Sequence, residues 1–268
     1  MSARMRGLVL AAGLVFLYLP MLLLIIYSFN ESRLVTVWSG WSVKWYGELL
    51  RDQQMIGAIW MSLRIAFLAA TAALVLGVLA GVALTRVGAF RGKALLGTMI
   101  TAPLVIPEVI TGLSLLLLFV ALGQLIGWPA QRGMLTIWIA HVTFCTAYVT
   151  LIVAGRLSEF DHSLEEAAMD LGATPLRTFF QVTLPVISPA LIAAWLLAFT
   201  LSLDDLVIAS FVTGPGASTL PIVVFSSVRL GVSPKINALA TILIVVVMAG
   251  VLTSLWLMRR YRRRQQLI

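Results

Sequence analysis

Charged side chains are scarce in this chain: Asp, Glu, Lys and Arg make up 11% of its 268 residues, where soluble domains carry about 25%. Because 60% of the residues are hydrophobic, there is too little polar surface to clothe a globule. A water-soluble fold is excluded, and a bilayer is the expected solvent. Cysteine is nearly missing. The single Cys145 rules out an intrachain disulfide and, inside an apolar stretch, reads as a small buried residue. Histidine occurs only as His141 and His162. His141 shares a helical i, i+4 face with Cys145, but no carboxylate stands nearby to orient the ring and no second histidine is in range for a metal. Neither catalysis nor a metal centre is expected. A nucleotide site is lacking too. In Gly88-Ala89-Phe90-Arg91-Gly92-Lys93 the glycines are one residue too close for a phosphate loop, and Ala94 stands where Ser or Thr would hold magnesium. No linker, low-complexity tract or tandem repeat interrupts the sequence, so residues 1–268 read as one membrane domain.

What is present is a set of six long apolar stretches: Leu8–Phe29, Ile59–Leu84, Gly97–Leu122, Met134–Ala154, Ile187–Ser210 and Ala238–Met258. About 20 apolar residues cross a hydrocarbon layer of about 30 Å. Backbone in lipid must satisfy its own hydrogen bonds, and these runs lack the alternation of barrel strands, so an all-α bundle of six transmembrane helices is expected. Arg4 and Arg6 precede the first stretch as they would a secretory signal, yet its apolar region is too long and no small-x-small site precedes Asn30. It reads as a retained helix.

Of the 19 Lys and Arg residues, twelve fall on the side holding both termini, among them Arg86, Arg91, Lys93 and the cluster Arg259–Arg264. Six fall on the other side, and Arg64 lies within the second stretch. That bias places both termini in the cytoplasm. The formal net charge of +8 is read as anchoring to anionic headgroups; nucleic-acid binding would need an aromatic-basic platform that is absent.

The connections differ in kind. The first external loop, Asn30–Ala58, carries Trp38, Trp41, Trp45 and Tyr46, suited to an interfacial anchor or to a cation-binding surface. Pro103 and Pro107 remove backbone donors from the third stretch, predicting a kink or unwound turn just before Glu108. Gly77-x-x-x-Gly81 permits close helix packing. Thr213-Gly214-Pro215-Gly216 forces a turn, after which Ile222–Leu230 is apolar enough for a short interfacial or re-entrant helix.

Between the fourth and fifth stretches, over about residues 155–186, the pattern is helix, break, helix. Ser163 with Glu166 reads as a capping box, Gly172 as a helix stop, Pro175 as the start of a second short helix, and Leu184-Pro185 as the end of the unit. The result is a rigid cytoplasmic knob. Ala167 and Ala168 keep its first helix slim, while Glu165, Glu166 and Asp170 offer carboxylates to a basic partner.

Glu166-Ala167-Ala168, Gly172 at its fixed distance and Leu184-Pro185, placed between spans, resemble the EAA-type loop of permease subunits of bacterial ATP-driven importers; Val182 stands where isoleucine is common there. Ala102-Pro103-Leu104-Val105-Ile106-Pro107-Glu108, Ser202-Leu203-Asp204-Asp205, Thr213–Gly216 and Ile236-Asn237-Ala238-Leu239-Ala240-Thr241 resemble the polyamine-importer branch, nearest to its putrescine permeases. The resemblance implies an inner-membrane subunit working by alternating access. It also implies a second, homologous permease, a cytoplasmic ATPase dimer holding ATP and magnesium, and a periplasmic binding protein. No cofactor is expected in this chain. Glu166, Ala167, Ala168, Asp170, Gly172, Leu184 and Pro185 are then the ATPase-coupling residues.

Of the eleven carboxylates, only Glu108, Asp204 and Asp205 fall inside apolar stretches. An aspartate at a helix centre costs about 2.5 to 3.5 kcal/mol on insertion scales, so these groups should face protein or water. Two such sites suit the two ammonium ends of a diamine such as putrescine, or the longer spermidine, with Trp45, Phe144 and Tyr148 as cation-π candidates. The competing reading pairs Asp204 or Asp205 with Arg64, or has them cap a broken helix, and lets Glu108 satisfy backbone freed by Pro107. Neighbours in a helix point about 100° apart, so Asp204 and Asp205 are not expected to face one cavity together. A passive cation channel, or a permease for another small cationic solute, is the alternative function; a channel leaves the cytoplasmic knob without a purpose.

Overall fold

The structure, a computed structural model, describes residues 3–34, 37–231 and 233–265. Its helices are α1 (Ala3–Tyr27), α2 (Lys44–Arg51), α3 (Gln53–Thr85), α4 (Lys93–Val105), α5 (Glu108–Ile126) and α6 (Met134–Ser158). There follow α7 (Ser163–Asp170), α8 (Pro175–Thr178), a π-turn (Phe179–Thr183), α9 (Leu184–Asp204), α10 (Val207–Val212), α11 (Leu220–Leu230) and α12 (Pro234–Gln265). Among the described residues the only β pairing is the isolated bridge Asn30–Trp41. The expected all-α architecture is borne out.

Five helical segments are long and apolar enough to cross a membrane: Met5–Tyr27, α3, α5, α6 and the continuous run Pro175–Asp204. The sixth expected stretch falls in α12, apolar over Pro234–Gly250. The third expected span is not one helix. It breaks at Ile106–Pro107 into α4 and α5, as the missing donor and ring bulk of Pro107 require. The fifth was expected over Ile187–Ser210; its helix stops at Asp204, and extended backbone at Asp205 turns the chain into α10.

The chain divides into two compact units, Gly57–Val223 and a second formed by Met1–Ile56 with Val224–Ile268. In the first, α6 is the central helix. Its His141 and Cys145 meet a seam of small residues on α9, Ala194, Ala198 and Ser202, and the Cys145 thiol donates to the Ala198 carbonyl at 3.4 Å. On another side, α3 brings Gly77 and Gly81 against Val149 and Val153. A Cβ on Gly77 would lie 2.5 Å from Val149 Cγ1. Lipid tails are as apolar as leucine, so packing rather than water exclusion holds such helices together, and the glycine pair permits it. α5 packs on α10, whose last carbonyls are held by Arg132 Nη1 to Phe211 O (3.1 Å) and Thr136 Oγ1 to Val212 O (2.7 Å).

In the second unit, α12 packs on α1 and α2. Asn30 organises the loop between α1 and α2: its amide donates to Val37 O (2.7 Å), its side-chain oxygen accepts from Ser39 N (3.0 Å), and its carbonyl accepts the Trp45 indole N–H (2.6 Å). Lys235 Nζ donates to Asp52 Oδ2 at 2.8 Å, and this bond is the main cause holding the Asp52 carboxyl below its ordinary range. A depressed carboxyl stabilises the fold above the unfolded pKa and loses that contribution as pH falls through the folded value. The tie is therefore complete at neutral pH and fades below about pH 4. Asp52→Asn should lower the thermal midpoint of the detergent-solubilised protein by about 2 °C at pH 7, and by progressively less as pH falls below about 4.

Candidate functional site

Of the three carboxylates expected inside spans, Asp204 and Asp205 stand at the α9–α10 break and Glu108 at the start of α5, and their surroundings differ. Asp205 is 9% exposed. Its oxygens accept the backbone N–H groups of Ala209 (2.7 Å) and Ile208 (3.3 Å), and Oδ2 lies 3.1 Å from His141 Nε2. The other imidazole nitrogen, Nδ1, is 2.7 Å from Ser202 Oγ, and His141 is 0% exposed. The expectation that no carboxylate orients His141 is thus corrected. Ser202 and Asp205 lie three residues apart, so one face of the helix end reaches the ring from both sides. The trio is closed in the core, where the hydroxyl is buried. It satisfies a helix start and a ring, as buried polar groups must be satisfied, and Asp205 follows the capping reading.

Asp204, one residue earlier, is exposed at the C-terminal end of α9. Arg64 does not pair with it or with Asp205; its guanidinium lies over the Trp60 ring, 5.5 Å from the centroid. Glu108 is exposed in the first turn of α5, where the helix dipole favours a negative charge. It has no ion pair among the described residues. It does not cap the Pro107 turn through a side-chain hydrogen bond.

The aromatic candidates divide likewise. Phe144 is buried, edge-on to His141 at 5.6 Å between ring centroids. Tyr148 is half-buried on the same helix. Trp45 belongs to the other unit, where it is buried with its N–H bonded to Asn30. Sequence reading did not find a partly buried aromatic row in which Phe67 meets Trp195 edge-on (5.6 Å) and Trp195 stacks on Phe199 (5.4 Å). The spacing of Trp195 and Phe199 by four residues carried that signal.

The loop between α6 and α9 departs from expectation at Ser163 and at Leu184-Pro185. Ser163 does not cap α7 with Glu166; Asp161 Oδ1 accepts the Ser163 N–H at 3.0 Å. That hydrogen bond holds the Asp161 carboxyl below its usual range. At the other end, Gly172 N–H donates to Met169 O (2.9 Å) and Ala173 N–H to Ala168 O (3.0 Å), with Gly172 at φ +90°. This is the expected glycine stop, a Schellman turn. Thr174 then caps Pro175, accepting from Arg177 N.

Leu184-Pro185 does not end the unit. The helix passes from α8 through the π-turn into α9 without interruption. In the wider turn, Leu184 N–H reaches back to Phe179 O, which accommodates Pro185, whose ring would clash with the carbonyl four residues earlier in a regular helix. Glu166, Ala167 and Asp170 are exposed, Ala168 is half-buried, and the tip is apolar, with Leu171 90% exposed beside Leu176. Its carboxylates and apolar side chains form a surface that another protein can grip.

Residues 73–266 match the family described as binding-protein-dependent transport system inner membrane component. The chain is 68% identical over 239 residues to the putrescine transport system permease protein PotI of Escherichia coli (strain K12), covering 89% of this chain and 85% of that one. It is 41% identical over 250 residues to the spermidine/putrescine transport system permease protein PotC of the same strain, covering 93% and 92%. Among solved structures, a bacterial ABC transporter that imports the acidic polysaccharide alginate shares the fold at a TM-score of 0.71 and 19% identity, over 95% of this chain and 98% of that one. The MetNI methionine ABC transporter in an inward-facing form matches at 0.60 and 19%, over 75% and 92%. With an apolar helical bundle, a protruding loop closed by Gly172 and these relatives all in agreement, the chain belongs to the inner-membrane permease components of binding-protein-dependent ABC transport systems, on their polyamine branch.

Proposed function

We propose that this permease moves putrescine, or a closely related polyamine such as spermidine, inward across the bacterial inner membrane by alternating access. The 68% identity to PotI, a putrescine permease, carries the substrate class. In this reading α12 supplies a sixth crossing, both termini are cytoplasmic, and a second homologous permease completes the pathway. Glu108 and Asp204 are the exposed carboxylates that meet the ammonium groups, with Tyr148 alongside. Asp205, Phe144 and Trp45 hold the frame. The slim face around Glu166, Ala167 and Ala168, with Asp170, seats on an ATPase subunit; Gly172, Leu184 and Pro185 shape the segment that carries its motion. ATP and magnesium are bound by that ATPase pair, and a periplasmic binding protein delivers the amine.

Reconstitution of the complete transporter in vesicles tests this. Uptake of labelled putrescine should require ATP, the binding protein and this chain together, and this chain alone should neither hydrolyse ATP nor conduct. Putrescine flux without ATP would favour the passive channel instead.

A further inference from the structure

Of the three acidic residues expected to face a partner from the cytoplasmic knob, Glu165 turns inward. Its Oε1 accepts the Thr183 hydroxyl at 2.5 Å and lies 3.4 Å from Arg86 Nη2. The Arg86 and Glu165 side chains are 15% and 17% exposed. Arg86 follows the end of α3, Glu165 sits in the first turn of α7, and Thr183 closes the π-turn that leads into α9. Two further contacts fix the guanidinium: Arg86 lies over the Phe160 ring, 5.2 Å from its centroid, and Nη1 is 2.7 Å from His162 Nδ1.

These residues help line a largely apolar cavity of about 590 Å³, with Val78 and Val82 on α3 and with Leu176 and Phe179 of the loop. Across that gap the side chains of α3 and the loop leave free volume, so direct apolar packing does not lock them. The ionic cluster spans it. A partly buried carboxylate shared between a cation and a hydroxyl is directional and poorly screened, unlike an exposed ion pair.

We infer that Arg86, Glu165 and Thr183 form a clamp that fastens the knob to both α3 and α9, making them positioning residues for coupling. Force applied to the exposed side of α7 enters two membrane helices at one point instead of being absorbed by rotation of α7 about its own turns. The inference rests on the coupling role of the loop proposed above, and it assigns to Glu165 a task separate from that of Glu166.

The test uses the complete reconstituted transporter and measures putrescine imported per ATP hydrolysed. Glu165→Gln and Arg86→Gln should each lower that ratio about tenfold, within the ordinary range of coupling between sites, with the ATPase subunits still copurifying. The exchange Arg86→Glu with Glu165→Arg should recover part of the loss. Thr183→Val, uncharged and close in shape, should lower the ratio in the same direction and decides the matter if the charged variants fail to assemble. A ratio unchanged in Thr183→Val, or in both Gln variants, overturns the clamp. Glu166→Lys separates the two ideas. If it leaves uptake and ATPase association intact, the docking role itself fails; if it abolishes them while the clamp variants behave normally, only the clamp fails.

Discussion

Asp204→Asn should reduce putrescine uptake by the complete transporter by roughly five- to a thousandfold while the complex assembles normally; Asp205→Asn should fail at assembly. The first figure follows from an ammonium-carboxylate attraction of about 1 kcal/mol in water and about 4 at an effective dielectric near 20. Asp204 is exposed and bonds no helix start, so its amide isostere disturbs little else. Asp205 is different. Asparagine keeps one acceptor oxygen but puts an N–H2 donor where the other accepted, so it cannot serve both backbone N–H groups and His141 together, a loss on the order of 1 to 3 kcal/mol for a buried group left unsatisfied. Uptake assays paired with thermal unfolding of the purified complex check both halves. An Asp205→Asn protein that folds normally, or an Asp204→Asn protein that transports normally, contradicts the division of roles.

Gly172→Val should uncouple transport. At φ +90° a β-branched residue costs on the order of 1 to 2 kcal/mol in backbone strain, and relief of that strain reopens the two hydrogen bonds that set the angle between α7 and α8. Nothing lies within 4 Å of a Cβ placed there, so the effect is conformational rather than steric crowding. The expected result is a large fall in ATP-dependent uptake with unchanged membrane insertion. Gly172→Asn, better tolerated in that region, should retain more activity than Val, and equal behaviour of the two would argue against the turn as the cause.

Much of this was legible from local chemistry. Glycine at a helix end, proline after a helix stop and the Pro107 break each depend on one or two residues, and each appears where expected. What escaped depended on partners distant in sequence. His141 and Asp205 are 64 residues apart, and nothing in the spacing of an apolar run announces that its end will fold back on a histidine. The α9–α10 break was legible only as the competing reading in which Asp204 or Asp205 caps a broken helix, since Ile187–Ser210 is apolar on both sides of it. Leu184-Pro185 was misread because a proline signals a stop only in a regular turn; a turn of wider pitch absorbs it. Glu165 was grouped with Glu166 and Asp170 as a carboxylate open to a partner, and only its contacts with Arg86 and Thr183 set it apart.

The uninterrupted run from Pro175 to Asp204, 30 residues, is about 45 Å long at 1.5 Å per residue. Its far end is moored, because Asp205 is tied to His141 and to the start of α10. Were such a rod to pivot there like an oar in its rowlock, a tilt of about 5° would displace its loop-side tip by about 4 Å over that length and leave Asp204 nearly still. A solute resting at the pivot would be uncovered on the loop side by a swing that barely disturbs its seat.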